Sequence, residues 1–522
     1  MGEKEFVADV LKEKVEEIVS EARASTRLLQ DHKQAAWALL KWSIWQRFDY
    51  WASLCYPSDS LPAARSLDYQ LHEILQDVVG FSIPVLSTRE SANWDCPLSV
   101  PIQGRNNMCY ASWILRQPIK LGGAGLRSYE ELCRPAFIGA VEQALPRLCQ
   151  GFCPMLSGVV GGEESFGQGV IWEGRWTTFL ESGSTAGWEF REAWQFLRQE
   201  AEVAAEWLGR DVEGPLKEDV ESAGEGRTSG ETRSMLVEAR EKLMGLLLIK
   251  ALQEFPNQRC RPVWADPQKD KHSTSWLLSL PGHNSSLTSA EFTQCAAALL
   301  CVPSPACLPK VGEKVGKHNV DKFGDRVVAA RMSGDGYRTR HDGMKNRIRN
   351  LHKWAGMEHT CEVFNLFAGE IPQRGLARIE RGRKRQGLVP DFQVRVPVAG
   401  RGAGETEQVL AELKCISCCP TRYPCDPHPT NKAVDNRAAL LPGEYNGKAK
   451  KIDTKFGDVA EGRVGPVQTK LQSFPPLRGW VIGAWGEASA DVHTMVRDLA
   501  AARLRHQETF PGADWKRKGS RS

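Results

Sequence analysis

No uncharged apolar run in this chain approaches the ~20 residues that a bilayer-spanning helix needs. Nor does a signal-peptide core open it, since Met1 to Val19 alternates lysine and glutamate. Together these absences predict a soluble protein that is not secreted. A surplus of one charge is missing too: 68 Lys and Arg face 64 Asp and Glu, for a net +4. No overall field therefore marks a polyanion partner, and local charge has to carry that argument. There is no internal repeat at solenoid periods. The 15 cysteines form no regular framework; they are scattered, odd in number and mostly set in apolar stretches, which reads as reduced thiols.

What is present is ordinary globular composition, 41% hydrophobic and 25% charged over 522 residues. That length predicts roughly two to four folded units. From Glu3 to Cys55 the pattern is helical, with Trp37, Leu40, Trp42, Ile44, Trp45, Phe48 and Trp51 spaced mostly by three and four, implying a buried helix. A Pro/Ser break at Tyr56 to Pro62 precedes a second helix, Leu67 to Val79. The glycines of Leu121 to Ser128 (LGGAGLRS) suit a tight turn with close backbone approach, leading into an apolar helix around Ala136 to Leu148. Between Asp211 and Glu231 seven acidic and two basic residues sit among Gly, Ser and Pro, as in a linker. A helix follows (Ser234 to Gln253), and Thr288-x-x-Glu291 has the capping-box spacing that opens another.

The last 190 or so residues predict an α-β-β-β-α-β order: a helix (His341 to Ala355), strands Thr360 to Phe367, Leu388 to Val396 and Glu407 to Ser417, a helix (Glu444 to Lys455), and a buried final strand in Gly479 to Trp485. In the second strand Leu388, Pro390, Phe392, Val394 and Val396 alternate with Val389, Asp391, Gln393 and Arg395, which puts Asp391 on the polar face. In the third, Glu412 and Lys414 share a face while Leu413 takes the other. Two adjacent strands can thus bring Asp391, Glu412 and Lys414 around one point. Hard oxygen ligands there suit Mg²⁺, and a lysine beside a metal can orient or deprotonate an attacking water. The plainer alternative is a solvated sheet edge, which produces the same spacing by chance.

VPDFQVRV followed by LAELKCI resembles the PD-(D/E)xK nuclease pattern. Upstream, LGGAGLRS followed by PAFIGAV is similar to the helical thumb-like segment downstream of the polymerase palm in non-LTR retrotransposon reverse transcriptases, one class of which ends in a restriction-like endonuclease that nicks DNA. The resemblance implies an α+β chain: an N-terminal all-α thumb-like region (1–209), an acidic linker (210–232), a helical connector with a degenerate Cys/His segment (233–330), a PD-(D/E)xK nuclease domain (331–510) and a basic tail (511–522). It further implies that Asp391 and Glu412, helped by the Leu413 carbonyl, hold Mg²⁺ or Mn²⁺ while Lys414 activates water. Asp342 or Glu362 is a possible extra metal ligand, and Lys448 a lysine that supplements or replaces Lys414. For Asp342 and Glu362 a helix cap or surface charge is the alternative, and for Lys448 a helical ion pair with Glu444.

The departures from the class are equally informative. No Tyr-x-Asp-Asp or Phe-x-Asp-Asp occurs, so polymerase activity is not expected. Asp321 to Arg326 resembles the frame of the class's GDH sequence with arginine replacing histidine, and Cys301, Cys307 and His318 fit no regular zinc spacing. Cys415-x-x-Cys418 and Cys425-x-x-His428 have paired zinc-type spacing, against the alternative of unpaired cysteines in a proline-stiffened loop. Six basic residues, Arg374, Arg378, Arg381, Arg383, Lys384 and Arg385, precede the strand bearing Asp391 and are candidate phosphate contacts, or else a solvated loop or nuclear-import signal. The expected function is metal-dependent hydrolytic nicking of DNA, with element RNA a further partner and no membrane, in the nucleus. The alternative is a catalytically inactive nucleic-acid-binding remnant.

Overall fold

A computed structural model describes residues 4–83, 110–151, 185–208, 229–254, 270, 273–277, 279, 286–329, 336–363, 366–375, 388–397, 406–416, 423 and 433–508. The chain is mixed α+β, mostly helical, with its four-stranded mixed sheet in the C-terminal part. It divides into two compact units at Pro309/Lys310. Among the described residues no helix is long and apolar enough to cross a membrane.

The first unit is helical throughout its regular structure: α1 (Lys4–Leu28), α2 (Lys33–Leu39), α3 (Asp49–Leu54), α4 (Pro57–Val79), α5 (Tyr110–Arg116), α6 (Tyr129–Gly151), α7 (Thr185–Leu208), α8 (Ser229–Glu254) and α9 (Ser289–Leu299). The single helix expected over Glu3 to Cys55 is three helices, interrupted by a π-turn at Leu40–Ile44. A wider turn rotates the apolar stripe, so Trp37 and Phe48 are buried while Trp42 is half exposed. Helix α4 starts ten residues before the expected Leu67, because Pro57 occupies the first turn, where its missing N–H costs nothing. The Thr288–Glu291 capping box forms as its spacing requires.

LGGAGLRS is a turn with a structural occupation. The Lys41 ammonium donates to the carbonyls of Ala124 (2.8 Å) and Gly125 (3.0 Å). Burial, with the Arg127 charge adding, pushes Lys41 down to about 8. Gly125 has φ +69°, and a Cβ on Gly123 would lie 2.2 Å from the Gln117 carbonyl oxygen, so both glycines are needed. Beyond the turn, Asp68 of α4 accepts from the backbone N–H groups of Tyr129 (2.9 Å) and Glu130 (3.0 Å), capping α6. Arg240 of α8 is buried between Glu200 of α7 (2.8 Å) and Glu131 of α6 (3.4 Å).

The second unit begins with a hairpin, β1 (Lys314–Val315) and β2 (His318–Asn319), and α10 (Asp325–Ala329). Then follow α11 (Gly336–Ala355), β3 (His359–Cys361), β4 (Phe392–Pro397), β5 (Thr406–Cys415), α12 (Ala433–Phe456), α13 (Pro466–Gln472), β6 (Arg478–Ile482) and α14 (Ala490–Glu508). The sheet order is β3-β4-β5-β6, antiparallel for the first two pairings and parallel for β5 with β6. From α11 to β6 the elements run α-β-β-β-α-β once the short α13 is set aside. Period-2 alternation separates the sheet faces: Phe392, Val394, Val396, Val409, Ala411 and Leu413 join Trp480 in a core with Ile348 of α11 and Met495 of α14. Helix α12 lies against β6, where a Cβ on Gly479 would meet the Ala438 Cα at 2.6 Å.

Three boundaries differ from the sequence expectation for identifiable reasons. The first strand is three residues long, because Glu362 takes a left-handed backbone, φ +51°, and ends the ladder. The second starts at Phe392 and not Leu388, since Pro390 has no N–H to pair. Helix α12 starts at Ala433, continuing through the Pro442-Gly443 pair that hides its first turns in the sequence.

Candidate active site at the end of the sheet

The last printed pair between β4 and β5 is Phe392 with Ala411, so the next step of the register sets Asp391 opposite Glu412. Past Asp391, β4 no longer pairs with β5, and the backbone of Leu413 is left facing that side. Its N–H donates to Asp391 Oδ2 at 3.0 Å. Its carbonyl accepts from His341 Nε2 at 3.2 Å. The same ring nitrogen lies 3.4 Å from Asp391 Oδ2. Two side chains thus complete the peptide group that the missing strand residues would have paired.

Burial works against charge on Asp391, but the His341 bond and charge, the Leu413 N–H and the Lys414 charge together hold its carboxyl below the usual aspartate range. The bond to Asp391 is the main cause that raises His341 above the ordinary histidine range, against burial, with Asp342 Oδ1 3.4 Å from Nδ1 assisting. In this state both ring nitrogens face acceptors, as an imidazolium requires.

Glu412 is buried, with about 6% of its surface exposed. Lys414 Nζ donates to Oε1 of Glu412 and the Tyr445 hydroxyl of α12 donates to Oε2. Burial, then the Glu412 charge, pushes the Tyr445 phenol far above its ordinary range. That hydroxyl also lies 3.2 Å from the Val389 carbonyl oxygen, tying α12 to the approach of β4.

The remaining sequence candidates fall in a ring around this centre. Asp342 and Glu362 face one ammonium, Lys345 Nζ, at 3.3 and 2.6 Å. Lys448 is exposed on α12 with its Nζ 4.7 Å above the Tyr445 ring. The sequence pairs Glu444 with Lys448, but the structure places Glu444 in a two-pronged bond with Arg437, which holds its carboxyl low. Arg374 is exposed and pairs with Asp458, while Arg378, Arg381, Arg383, Lys384 and Arg385 lie outside the described residues. So do Cys418, Cys425 and His428; Cys415, their strand partner, is half-buried. Cys301 is buried and His318 exposed in the hairpin.

Among the described residues no three His, Cys, Asp or Glu side chains form a metal-holding group. The donor set here is different in kind: two carboxylates from neighbouring strands and the Leu413 carbonyl between them. Asp391 Oδ2 has two protein partners and each Glu412 oxygen one. A carboxylate offers about four lone-pair sites, so each keeps acceptor capacity. Such hard oxygens fit Mg²⁺ or Mn²⁺.

His341 and Tyr445 were not singled out as site residues by sequence reasoning. His341 had a signal in Arg340-His341-Asp342 at the start of a helix, but nothing there says the ring reaches Leu413. Tyr445 is one apolar-face residue among several on α12. No protein-family model matches this chain, and neither does any curated protein.

Proposed function

We propose that the second unit hydrolyses phosphodiester bonds in DNA, as a metal-dependent endonuclease of the PD-(D/E)xK kind carried by a non-LTR-type retroelement chain. The observation that carries this reading is the single register step joining Asp391 to Glu412-Leu413-Lys414, with the Leu413 N–H fixed on the Asp391 carboxylate. A sheet edge of solvated charges would show independent side chains; here acid, carbonyl, acid and lysine are held in one bonded network. The α-β-β-β-α-β order around a mixed sheet supports the same reading.

Asp391, Glu412 and the Leu413 carbonyl would hold the ion, which when bound supplies Lewis-acid stabilisation of charge on the phosphate. Lys414 keeps N–H groups beyond the one given to Glu412, enough to fix an attacking water and to offset phosphate charge. Tyr445 orients Glu412 from the opposite side. Basic residues from Arg374 to Arg385 would contact phosphates without reading bases. The first unit would bind nucleic acid and catalyse nothing, because the paired aspartates of a polymerase are missing from the sequence.

One observation favours the inactive, nucleic-acid-binding reading: Glu412 is nearly closed off, with both oxygens engaged. Incubating the full chain with supercoiled plasmid and Mg²⁺ or Mn²⁺ separates the two. Open-circle product that chelator abolishes is expected; binding without nicking would establish the inactive reading.

A further inference from the structure

We infer that His341 is a third, nitrogen ligand of this ion site, and that the site consequently selects a transition ion such as Mn²⁺ over Mg²⁺. The inference rests on the nuclease reading and sharpens it. Its ground is the convergence of three donors from three elements: Asp391 Oδ2 before β4, the Leu413 carbonyl in β5 and His341 Nε2 in α11. Nε2 lies 3.4 Å from the first and 3.2 Å from the second. Neighbouring ligands of an octahedral ion with bonds of about 2.1 Å lie about 3 Å apart, so these separations need to close by only a few tenths of an ångström. The point equidistant from the three atoms is where such an ion belongs.

The rest of the ring's surroundings is what a ligating histidine has. Nδ1 faces Asp342 Oδ1 at 3.4 Å, and Asp342 is itself held by Lys345 at 3.3 Å. A carboxylate that takes the second N–H of a ligating imidazole fixes its tautomer and orientation. Asp342 therefore acts as a positioning residue and not as a ligand. With about 17% of its side chain exposed, His341 is committed to this corner. An all-oxygen site suits Mg²⁺, whereas an imidazole ligand shifts preference toward Mn²⁺, Co²⁺ or Zn²⁺. The purely structural alternative is that His341 caps the Leu413 carbonyl and salt-bridges Asp391, and that an arriving ion expels it.

Mn²⁺ titration of the chelator-stripped full chain, read by electron paramagnetic resonance, separates these. The parent is expected to bind one Mn²⁺ with ¹⁴N modulation in the pulsed spectrum. His341→Ala should abolish the modulation and weaken Mn²⁺ on the order of tenfold or more, while Mg²⁺, measured by competition, changes by less than about threefold. Asp342→Asn should retain ¹⁴N coupling yet weaken Mn²⁺ by about tenfold. His341→Gln serves as a second variant, with far-ultraviolet circular dichroism confirming that each folds. Asp391-dependent Mn²⁺ binding without ¹⁴N coupling, or a His341→Ala protein that binds Mn²⁺ as tightly as the parent or more so, would overturn the inference and leave the nuclease reading standing. A parent that binds no Mn²⁺ at all would overturn both.

Discussion

The Leu413 N–H donates to Asp391 Oδ2 at 3.0 Å, so the side chain that opens β4 pins the backbone of β5. The bond serves the fold as well as the site, and the two roles can be separated. Asp391→Asn keeps an acceptor for the N–H, whereas Asp391→Ala leaves that N–H without a partner. Losing one such bond costs about 1 kcal/mol. Urea unfolding is therefore expected to show Asp391→Ala less stable than Asp391→Asn by about that amount. Equal stabilities would mean the bond contributes nothing to the fold.

Removing the Tyr445 hydroxyl leaves one oxygen of the buried Glu412 carboxylate without its donor. Tyr445→Phe is expected to destabilise the second unit by about 1–3 kcal/mol. Combining it with Glu412→Gln should cost less than the sum of the two changes, because the residues act as a pair. Strict additivity in a double-mutant cycle would contradict the contact.

The two lysine candidates differ in placement, since Lys414 touches Glu412 while Lys448 rests on the Tyr445 ring. Lys414→Ala is expected to lower the nicking rate by a factor of about 10² to 10⁴, the range of a positioned proton-handling or charge-stabilising group. Lys448→Ala should lower it by less than about tenfold, on the same scale. A reversal of that order in single-turnover assays would assign the chemistry to α12.

His352 sits in the second unit's core, stacked 6.2 Å from Phe392 and 5.6 Å from Trp480. Burial, its first cause, lowers its pKa below the ordinary 6.5 despite the bond to the Ile348 carbonyl. The unfolded chain then takes up a proton at a pH where the folded one does not. Stability from this group is complete above pH 6.5 and is lost as pH falls below it. The shift in thermal midpoint between pH 7.5 and 5.5 is expected to be smaller in His352→Phe than in the parent. An unchanged shift would rule His352 out as a source of acid sensitivity.

Much of the second unit was legible because alternation is a strong signal when both faces of a strand are committed. Phe392, Val394 and Val396 read as one face from the sequence and are buried together. The capping box at Thr288 was equally readable, being local. The extent of β3 was not, since nothing in Glu362 announces a left-handed backbone. The division of labour around the site was also hidden. Asp342 and Glu362 are acids like any other in the sequence, and only the fold puts Lys345 between them. The reach of His341 to Leu413 spans 72 positions, a contact that no local pattern encodes.

The most direct measurement is the rate of supercoiled-plasmid nicking by the purified full chain with saturating Mn²⁺ or Mg²⁺, beside Asp391→Asn and Glu412→Gln proteins shown to be folded. The parent is expected to nick, and each variant to fall by a factor of about 10² or more, as loss of a metal-holding carboxylate requires. Equal nicking by parent and variants, or none by a parent that binds the ion, would contradict the assignment of a nuclease centre to Asp391 and Glu412.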